Sequence, residues 1–151
     1  MNHLATSKED ILAASRDLIK ENGWAAVSIR AVASRCSVSA GTIYNYYESK
    51  ADLLSDTIES IWHEIFFHPE DEQVFHDVES CISWIYERLE YGNRQFPGFF
   101  SLHSFGFMRD EKTSGKKRMM KTWGHILNGL CEVLGNDPKV RADVFDQELS
   151  L

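Results

Sequence analysis

Small, aromatic and basic residues are crowded into one polar stretch near the start of the chain. Residues 28–50 read SIRAVASRCSVSAGTIYNYYESK. The stretch is too polar and too interrupted to serve only as hydrophobic core. Its hydroxyl, amide and ammonium groups can hydrogen-bond base edges or phosphate oxygens. Contact with duplex DNA is therefore the chemistry that these residue types indicate.

Two short helical patterns joined by a tight turn would hold these groups in place. The spacing predicts one helix that starts at Ser28 and carries Val32 and Ala33 inward, and a second over about 40–47, which is the arrangement of a helix-turn-helix. Ile43 and Tyr47, four residues apart, share the inward face of the second helix. Its outward face carries small or hydrogen-bonding residues: Gly41, Thr42, Tyr44 and Asn45. Such a face suits insertion into the major groove of DNA.

The outward residues differ in what they can contact. Gly41 allows close approach of the backbone, and Thr42 supplies a hydroxyl together with a methyl that can touch a thymine methyl. Asn45 can pair with a base edge or reach a phosphate. The hydroxyls of Tyr44 and Tyr46 can bond phosphate oxygens on either side of the groove, which fixes register rather than sequence.

Basic residues flank the same segment. Lys50 is predicted in the first turn of the next helix, where free amide groups and the positive end of the helix dipole favour an anion. Ser28, the predicted N-cap of the preceding helix, and Arg30 in its first turn can flank the same DNA backbone. Each phosphate neutralised should add about −0.9 to the slope of the logarithm of the binding constant against the logarithm of the salt concentration.

Helical periodicity extends through almost the whole chain and predicts an all-α fold. A capping box, Thr6 with Glu9, predicts the start of a first helix that ends at Gly23. Ser49 with Asp52 predicts the start of a longer helix over residues 50–67. Pro69 predicts a boundary in the chain. The pattern after it predicts a helix over 74–89 ended by Gly92 and Asn93, a Phe-rich helix over 99–108 and a polar loop over 110–117. A helix over 119–134 and a last helix started by Asp137 and Pro138 are predicted to follow.

Charge is divided unevenly along the 151 residues. The net charge is −7, but residues 1–50 carry +1 and the remainder −8, so a polyanion contact is favoured only at the N-terminal end. Cys36, Cys81 and Cys131 are odd in number and form no CxxC pair, which argues against a disulfide framework or a zinc site. No apolar run suggests a signal peptide or a membrane span, so we expect a cytoplasmic protein.

The segment IRAVASRCSVSAGTIYNYYESKADLL resembles the N-terminal DNA-binding domain of the TetR/AcrR transcriptional regulators. The resemblance covers roughly residues 6–62. It depends on a joint pattern of Ile29, Val32, Ala33, Val38, Ser39, Gly41, Thr42, Ile43, Tyr44, Tyr47, Ser49, Lys50, Leu53 and Leu54. It implies a three-helix DNA-binding domain over residues 1–48, with the recognition helix at about 40–47. A long helix would join it to a helical ligand-binding and dimerisation domain over 49–151.

Carried over by position, the resemblance implies DNA contacts at residues within the quoted stretch. They are Arg30, Thr42, Tyr44, Asn45, Tyr46 and Lys50, with Ala40 and Gly41 against the bases. Two features depart from the family pattern. Cys36 and Ser37 stand where Ala-Gly is usual in the turn, and a serine forced to positive φ would be strained by about 1 kcal/mol or more. The chain also stops about one helix short of the usual dimer bundle.

An aromatic cluster in the second half is a candidate ligand pocket, because aromatic and methionine side chains line adaptable apolar sites. The candidates are Trp84, Phe99, Phe100, His103, Phe107, Met120 and Trp123. The same stripes are also typical of plain core. No catalytic motif, metal-ligand spacing or cofactor loop is recognisable.

The function expected from these observations is that of a DNA-binding regulator, not an enzyme. In this family such a regulator is typically a homodimeric repressor, released from a double-stranded DNA operator by a small apolar or amphipathic ligand. The alternative is a helical ligand-binding or protein-interaction module that keeps the fold without specific DNA binding.

Overall fold

Six α-helices make up the architecture of the computed structural model, which describes residues 6–67, 76–100 and 114–140. They are α1 (Lys8–Asn22), α2 (Ile29–Arg35), α3 (Ala40–Tyr44), α4 (Lys50–Phe66), α5 (Val78–Gln95) and α6 (Ser114–Asn136), with a 3-10 turn at Trp24–Ala26. These three ranges contain no strand, so the all-α prediction is confirmed for them. The predicted boundary at Pro69 and most of the predicted Phe-rich helix lie outside the described residues.

Helix α1 begins one residue later than predicted. Ser7 is the N-cap: its hydroxyl accepts from the Asp10 amide at 3.1 Å, and the Asp10 carboxylate accepts from the Ser7 amide at 2.8 Å. The predicted capping box of Thr6 and Glu9 is therefore wrong, because Thr6 is instead buried ahead of the helix. The hydrogen bonds from Ser7 lower the pKa of Asp10.

The turn after α2 is a Schellman motif with Ser37 in the left-handed position. The Val38 amide donates to the Ala33 carbonyl at 2.9 Å, and the Ser37 amide donates to the Ser34 carbonyl at 3.1 Å. Ser37 has φ 56°, so the predicted positive φ at this serine is confirmed. Val38 packs against the buried core, which fixes the direction in which the chain enters α3.

Helices α1 to α3 close around one apolar core. Ser28 caps α2 by accepting from the Ala31 amide at 3.1 Å, as predicted. The core contains Ile11 and Ile19 of α1, Val32 of α2 and Ile43 of α3, all fully buried. Because each short helix contributes its inward face, α2 and α3 are held by packing rather than by their own length.

Helix α4 connects this three-helix unit to the remaining helices. Ser49 caps it as predicted, accepting from the Asp52 amide at 3.2 Å. The helix packs on α1, α5 and α6. Trp62 lies at the centre of an aromatic cluster, with ring centroids 5.0 Å from Phe99 and 5.2 Å from Trp123.

Helix α5 runs past the glycine that was predicted to end it. A Cβ on Gly92 would lie 2.6 Å from Cδ1 of Ile65 and 3.0 Å from the Phe100 ring. The glycine therefore permits close packing of α5 on α4, and the helix continues to Gln95. The prediction of a helix end at Gly92 is wrong because this need for space appears only in the tertiary structure.

Helix α6 begins within the segment that was predicted to be a polar loop, at Ser114, and ends at Asn136. Asp137 follows it, and its carboxylate accepts from the Lys139 amide at 2.9 Å, as an N-cap would. The same carboxylate also accepts from the Val78 amide at 2.9 Å, which joins the end of α6 to the start of α5. Residues 138–140 form a turn, and the rest of the helix predicted after Pro138 lies outside the described residues.

Candidate nucleic-acid interface

Helix α3 presents an exposed side to solvent and a buried side to the core, as its sequence predicted. Ile43 is fully buried and Tyr47, just after the helix, is 4% exposed. On the other side Gly41, Tyr44 and Asn45 are exposed, with 56% of Tyr44 accessible. The helix ends at Tyr44 rather than at residue 47, and Asn45 is its C-cap.

Ser39 and Thr42 together fix the start of α3. The Ser39 hydroxyl accepts from the Thr42 amide at 3.2 Å, and the two hydroxyl oxygens lie 3.0 Å apart. Thr42 is half-buried and lies at the edge of the exposed face. The contact with the Ser39 cap orients its hydroxyl. Ser39 was not among the predicted site residues, although its spacing of three from Thr42 is a recognisable capping signal.

Tyr46 is turned towards the protein rather than to solvent. Its hydroxyl donates to the Thr6 carbonyl at 2.7 Å, and its ring is half-buried against the core. The hydroxyl proton is thus used within the protein, whereas a phosphate contact was predicted for it. This bond joins the end of the α3 turn to the residue before the α1 cap, a pairing forty positions apart that no local pattern could indicate.

Two basic residues remain exposed beside α3. Arg30 lies in the first turn of α2 and Lys50 is the first residue of α4, above the Ser49 cap. By contrast, Arg35 at the end of α2 is engaged by both carboxylate oxygens of Glu21. The exposed cations therefore stand at the starts of α2 and α4, where free backbone amides also favour anions.

The remaining residues that were predicted to contact DNA are Ser28, Ala40 and Gly41. Ser28 is half-buried as the α2 cap, but its hydroxyl accepts there and retains a proton to donate. Ala40, the first residue of α3, is half-buried and packs against the core. Gly41 has only the Ser39 hydroxyl near its missing side chain, at 3.5 Å, so its surface is open to a partner.

The predicted pocket residues that the structure describes are packed together. Phe99 is fully buried, Trp84 is 7% exposed, and Phe100 and Trp123 are half-buried around Trp62. This arrangement is continuous aromatic core in which a ligand would have to displace or open rings. His103 and Phe107 lie outside the described residues, as does the side chain of Met120.

The described residues offer little to other classes of site. Residues 6–67, 76–100 and 114–140 contain no group of three or more His, Cys, Asp or Glu side chains arranged to hold a metal ion. None of the helices in these ranges combines the length and apolar character required to cross a bilayer. Cys36, Cys81 and Cys131 are free thiols, and burial raises the pKa of Cys36 and of Cys81.

Comparison with known proteins identifies the segment that contains this surface. Residues 11–57 match the family described as bacterial regulatory proteins, tetR family. The matched segment begins in the second turn of α1 and ends within α4. We refer to the matched residues 11–57 as the tetR domain. Every residue predicted to touch DNA, from Ser28 to Lys50, lies within this tetR domain.

Individual relatives align over the same tetR domain. The HTH-type transcriptional regulator UidR of Escherichia coli K12 is 38% identical over 48 residues, which are 32% of this chain and 24% of UidR. The HTH-type transcriptional repressor KstR of Rhodococcus jostii is 45% identical over 47 residues, 31% of this chain and 22% of KstR. KstR of Mycobacterium tuberculosis is 43% identical over 47 residues, 31% and 21% of the two chains.

The similarity to these relatives lies within the tetR domain. The aligned segment spans about a quarter or less of the length of each of these relatives. No solved structure matches the chain. Helices α5 and α6 lie beyond the matched tetR domain.

Proposed function

We propose that this chain is a tetR-type transcriptional repressor that binds a double-stranded DNA operator through α3. The observation that carries the proposal is the exposed face of Gly41, Tyr44 and Asn45 within the tetR domain, with an exposed cation at the start of the helix before α3 and of the helix after it. The names of the relatives, transcriptional regulator and transcriptional repressor, support the same reading. A repressor of this kind acts where the chromosome is, in the cytoplasm.

Within this proposal the residues have separate roles. Gly41 and Ala40 bring the α3 backbone close to the bases, while Thr42 and Asn45 contact base edges. Tyr44, Arg30, Ser28 and Lys50 bind phosphates on the two sides of the groove and fix the register. Tyr46 acts differently from its neighbours, because its hydroxyl holds α3 against the α1 cap instead of reaching DNA.

Regulation would follow from a homodimer with two recognition helices. Dimeric helix-turn-helix proteins place them one helical turn of DNA apart, about 34–36 Å. An apolar or amphipathic ligand held among α4, α5 and α6 would move α4 and change that spacing. A hundredfold change in DNA affinity requires about 2.7 kcal/mol of differential binding, which is within the usual allosteric range.

The proposal is tested by the variants Tyr44→Phe and Lys50→Ala in a mobility-shift titration with DNA flanking the chain's own gene. Each removes one phosphate contact, so each should weaken binding, and Lys50→Ala should reduce the salt slope by about one. Lys139→Ala is the matched control, an exposed lysine beyond α6 that should leave binding unchanged.

The opposite result is equally clear. If the wild-type chain ignores this DNA and a random-sequence DNA pool in dilute salt, the DNA-binding role is lost. The chain would then be a helical ligand-binding or protein-interaction module. If it binds but the two variants match the control, the phosphate assignments fail while DNA binding stands.

A further inference from the structure

One carboxylate on α4 contacts side chains of two other helices at the junction between the tetR domain and the rest of the chain. Glu64, near the end of α4, forms an ion pair with Nε of Arg16 at 3.1 Å and accepts a hydrogen bond from Nζ of Lys20 at 2.7 Å, both on α1. The hydroxyl of Tyr91 on α5 donates to the same carboxylate at 3.2 Å. All four side chains are partly buried, so solvent screens these contacts less than it screens surface pairs.

Aromatic contacts reinforce the same junction. The Lys20 ammonium also lies 4.9 Å from the ring centre of Phe96, which follows α5. Trp24, in the 3-10 turn after α1, stacks on Phe99 with ring centroids 5.9 Å apart and planes within 12°. The C-terminal end of α1 is therefore attached to both α4 and the segment that continues α5.

The opposite end of α1 contacts the turn after α3 and the first half of α4. Lys8 pairs with Asp56 of α4 at 2.6 Å, and Tyr46 bonds to the Thr6 carbonyl at 2.7 Å. Because α1 shares its core with α2 and α3, a tilt of α1 at the Glu64 end would be carried into the orientation of α3. Through its hydrogen bond to Glu64, Tyr91 connects α5 to the C-terminal end of α1.

We propose that Glu64 and Tyr91 are positioning residues for DNA binding, which hold α1, and with it α3, at a fixed angle to the helical body. The proposal depends on the proposed function for its effect on DNA. A movement of α5 that withdraws the Tyr91 hydroxyl removes this hydrogen bond from Glu64. The attachment of the three-helix unit to α5 is then loosened at Tyr91, while the contacts of Phe96 and Phe99 and the core of the unit are unchanged.

Tyr91 is suited to remain a donor at this position. Burial, together with the neighbouring Glu64 carboxylate, raises the pKa of Tyr91 above its ordinary value of 10.0. Its hydroxyl therefore keeps its proton throughout the neutral range. The bond to Glu64 is broken by displacement of α5 and not by titration of the phenol.

The test compares Tyr91→Phe, Lys20→Met and the double variant with the wild-type chain. Tyr86→Phe is the matched control, since Tyr86 lies on the same helix and is 67% exposed. Hydrogen exchange of residues 16–26 reports on the junction without any DNA. Operator affinity is measured on a sequence selected by the wild-type chain from a random DNA pool, with a scrambled duplex beside it.

The expected results separate positioning from simple loss of stability. Exchange at residues 16–26 should rise about fivefold in Tyr91→Phe, the ratio that corresponds to one hydrogen bond. The ratio of operator to scrambled affinity should fall by a similar factor while the midpoint of thermal unfolding changes little. Lys20→Met and Tyr91→Phe should be non-additive in this ratio, because they act on one carboxylate.

Three results would count against the proposal. Unchanged exchange in Tyr91→Phe overturns the junction itself, and a raised exchange with an unchanged affinity ratio overturns its role in DNA binding. Equal effects from Tyr86→Phe would also overturn it. Failure of the wild-type chain to select any DNA would refute the proposed function, while the exchange experiment would still decide whether Tyr91 holds α1.

Discussion

Ser37 holds a backbone conformation that its own side chain disfavours. Its φ of 56° is the left-handed position of a Schellman turn, where a side chain with a Cβ costs about 1–2 kcal/mol relative to glycine. Ser37→Gly should relieve this strain, and the greater freedom of glycine in the unfolded chain should cancel part of the gain. We expect the free energy of unfolding of Ser37→Gly, measured in urea, to exceed that of the wild type by up to about 1 kcal/mol.

The β-branched variant supplies the control for this prediction. Ser37→Val should destabilise the protein, since a branched side chain tolerates positive φ less well than serine does. A glycine variant that is less stable than wild type would show that the serine side chain makes a compensating contact in the turn.

The hydroxyl of Tyr46 should contribute to stability, whereas that of Tyr44 should contribute to DNA binding. Tyr46→Phe removes the bond to the Thr6 carbonyl, a loss of about 1 kcal/mol in the free energy of unfolding. Tyr44→Phe removes an exposed hydroxyl and should leave stability unchanged. Chemical denaturation of both variants measures the difference, and equal stabilities would contradict the assignment of Tyr46.

Sequence reasoning at the residue scale succeeded where the signal is local. The caps at Ser28 and Ser49 and the positive φ of Ser37 follow from neighbours within a few positions. The bond from Tyr46 to Thr6 and the contacts of Glu64 connect residues that lie 27 to 48 positions apart in the chain. No local spacing rule predicts them. These are the contacts that position the candidate interface.

At the scale of the helices, packing overrides local propensity at Gly92. Gly92→Ala would normally stabilise a helix by about 1 kcal/mol, but here the new Cβ would meet the fully buried Ile65 side chain and the Phe100 ring. Overpacking costs about 1–3 kcal/mol, so we expect a net loss of up to about 2 kcal/mol. Thermal or urea unfolding measures it.

Gly124, on α6, is the matched control. Among the described residues, no atom outside the neighbouring residues and the helix backbone lies within 4 Å of the position its Cβ would occupy, so Gly124→Ala should gain the helix propensity. Stabilisation by both alanines would mean that Ile65 and Phe100 move aside without cost. Destabilisation by both would mean that backbone flexibility, and not space, decides at these positions.

The helices themselves were largely predictable, and their ends were not. Apolar residues at helical spacing located α1, α2, α4 and α5, and the all-α class followed. The start of α1 was misplaced because two capping pairs stand one residue apart, and the end of α5 because Gly92 looks like a terminator in sequence. In both cases the deciding contact comes from another part of the fold.

At the scale of the whole molecule, α4 belongs to both halves. Its first turns complete the core of the tetR domain, and Trp62, Ile65 and Phe66 are buried towards α5 and α6. The excess of acidic residues lies in the second half, away from the exposed cations at Arg30 and Lys50. The charge division seen in the sequence therefore agrees with a DNA-facing end and a body that repels DNA.

The attachment of α5 to α6 should make the body sensitive to acid. Hydrogen bonds from the Val78 and Lys139 amides lower the pKa of Asp137 below its ordinary 3.8, and the Ser80 amide lowers that of Asp77 in the same way. A lowered folded-state pKa stabilises the protein fully above the unfolded value and loses that effect as pH falls through the folded value. The sensitive window therefore lies below about pH 4.

Asp137→Asn tests this assignment because an amide oxygen does not titrate and leaves only one acceptor atom for the two backbone donors. The variant should be less stable than wild type at neutral pH, and the difference should shrink as pH falls below about 4 towards the lowered pKa of the folded aspartate. Urea unfolding followed by circular dichroism at pH 7, 5 and 3 measures the difference. A gap of the same size at all three values would show that Asp137 acts through packing and not through its charge.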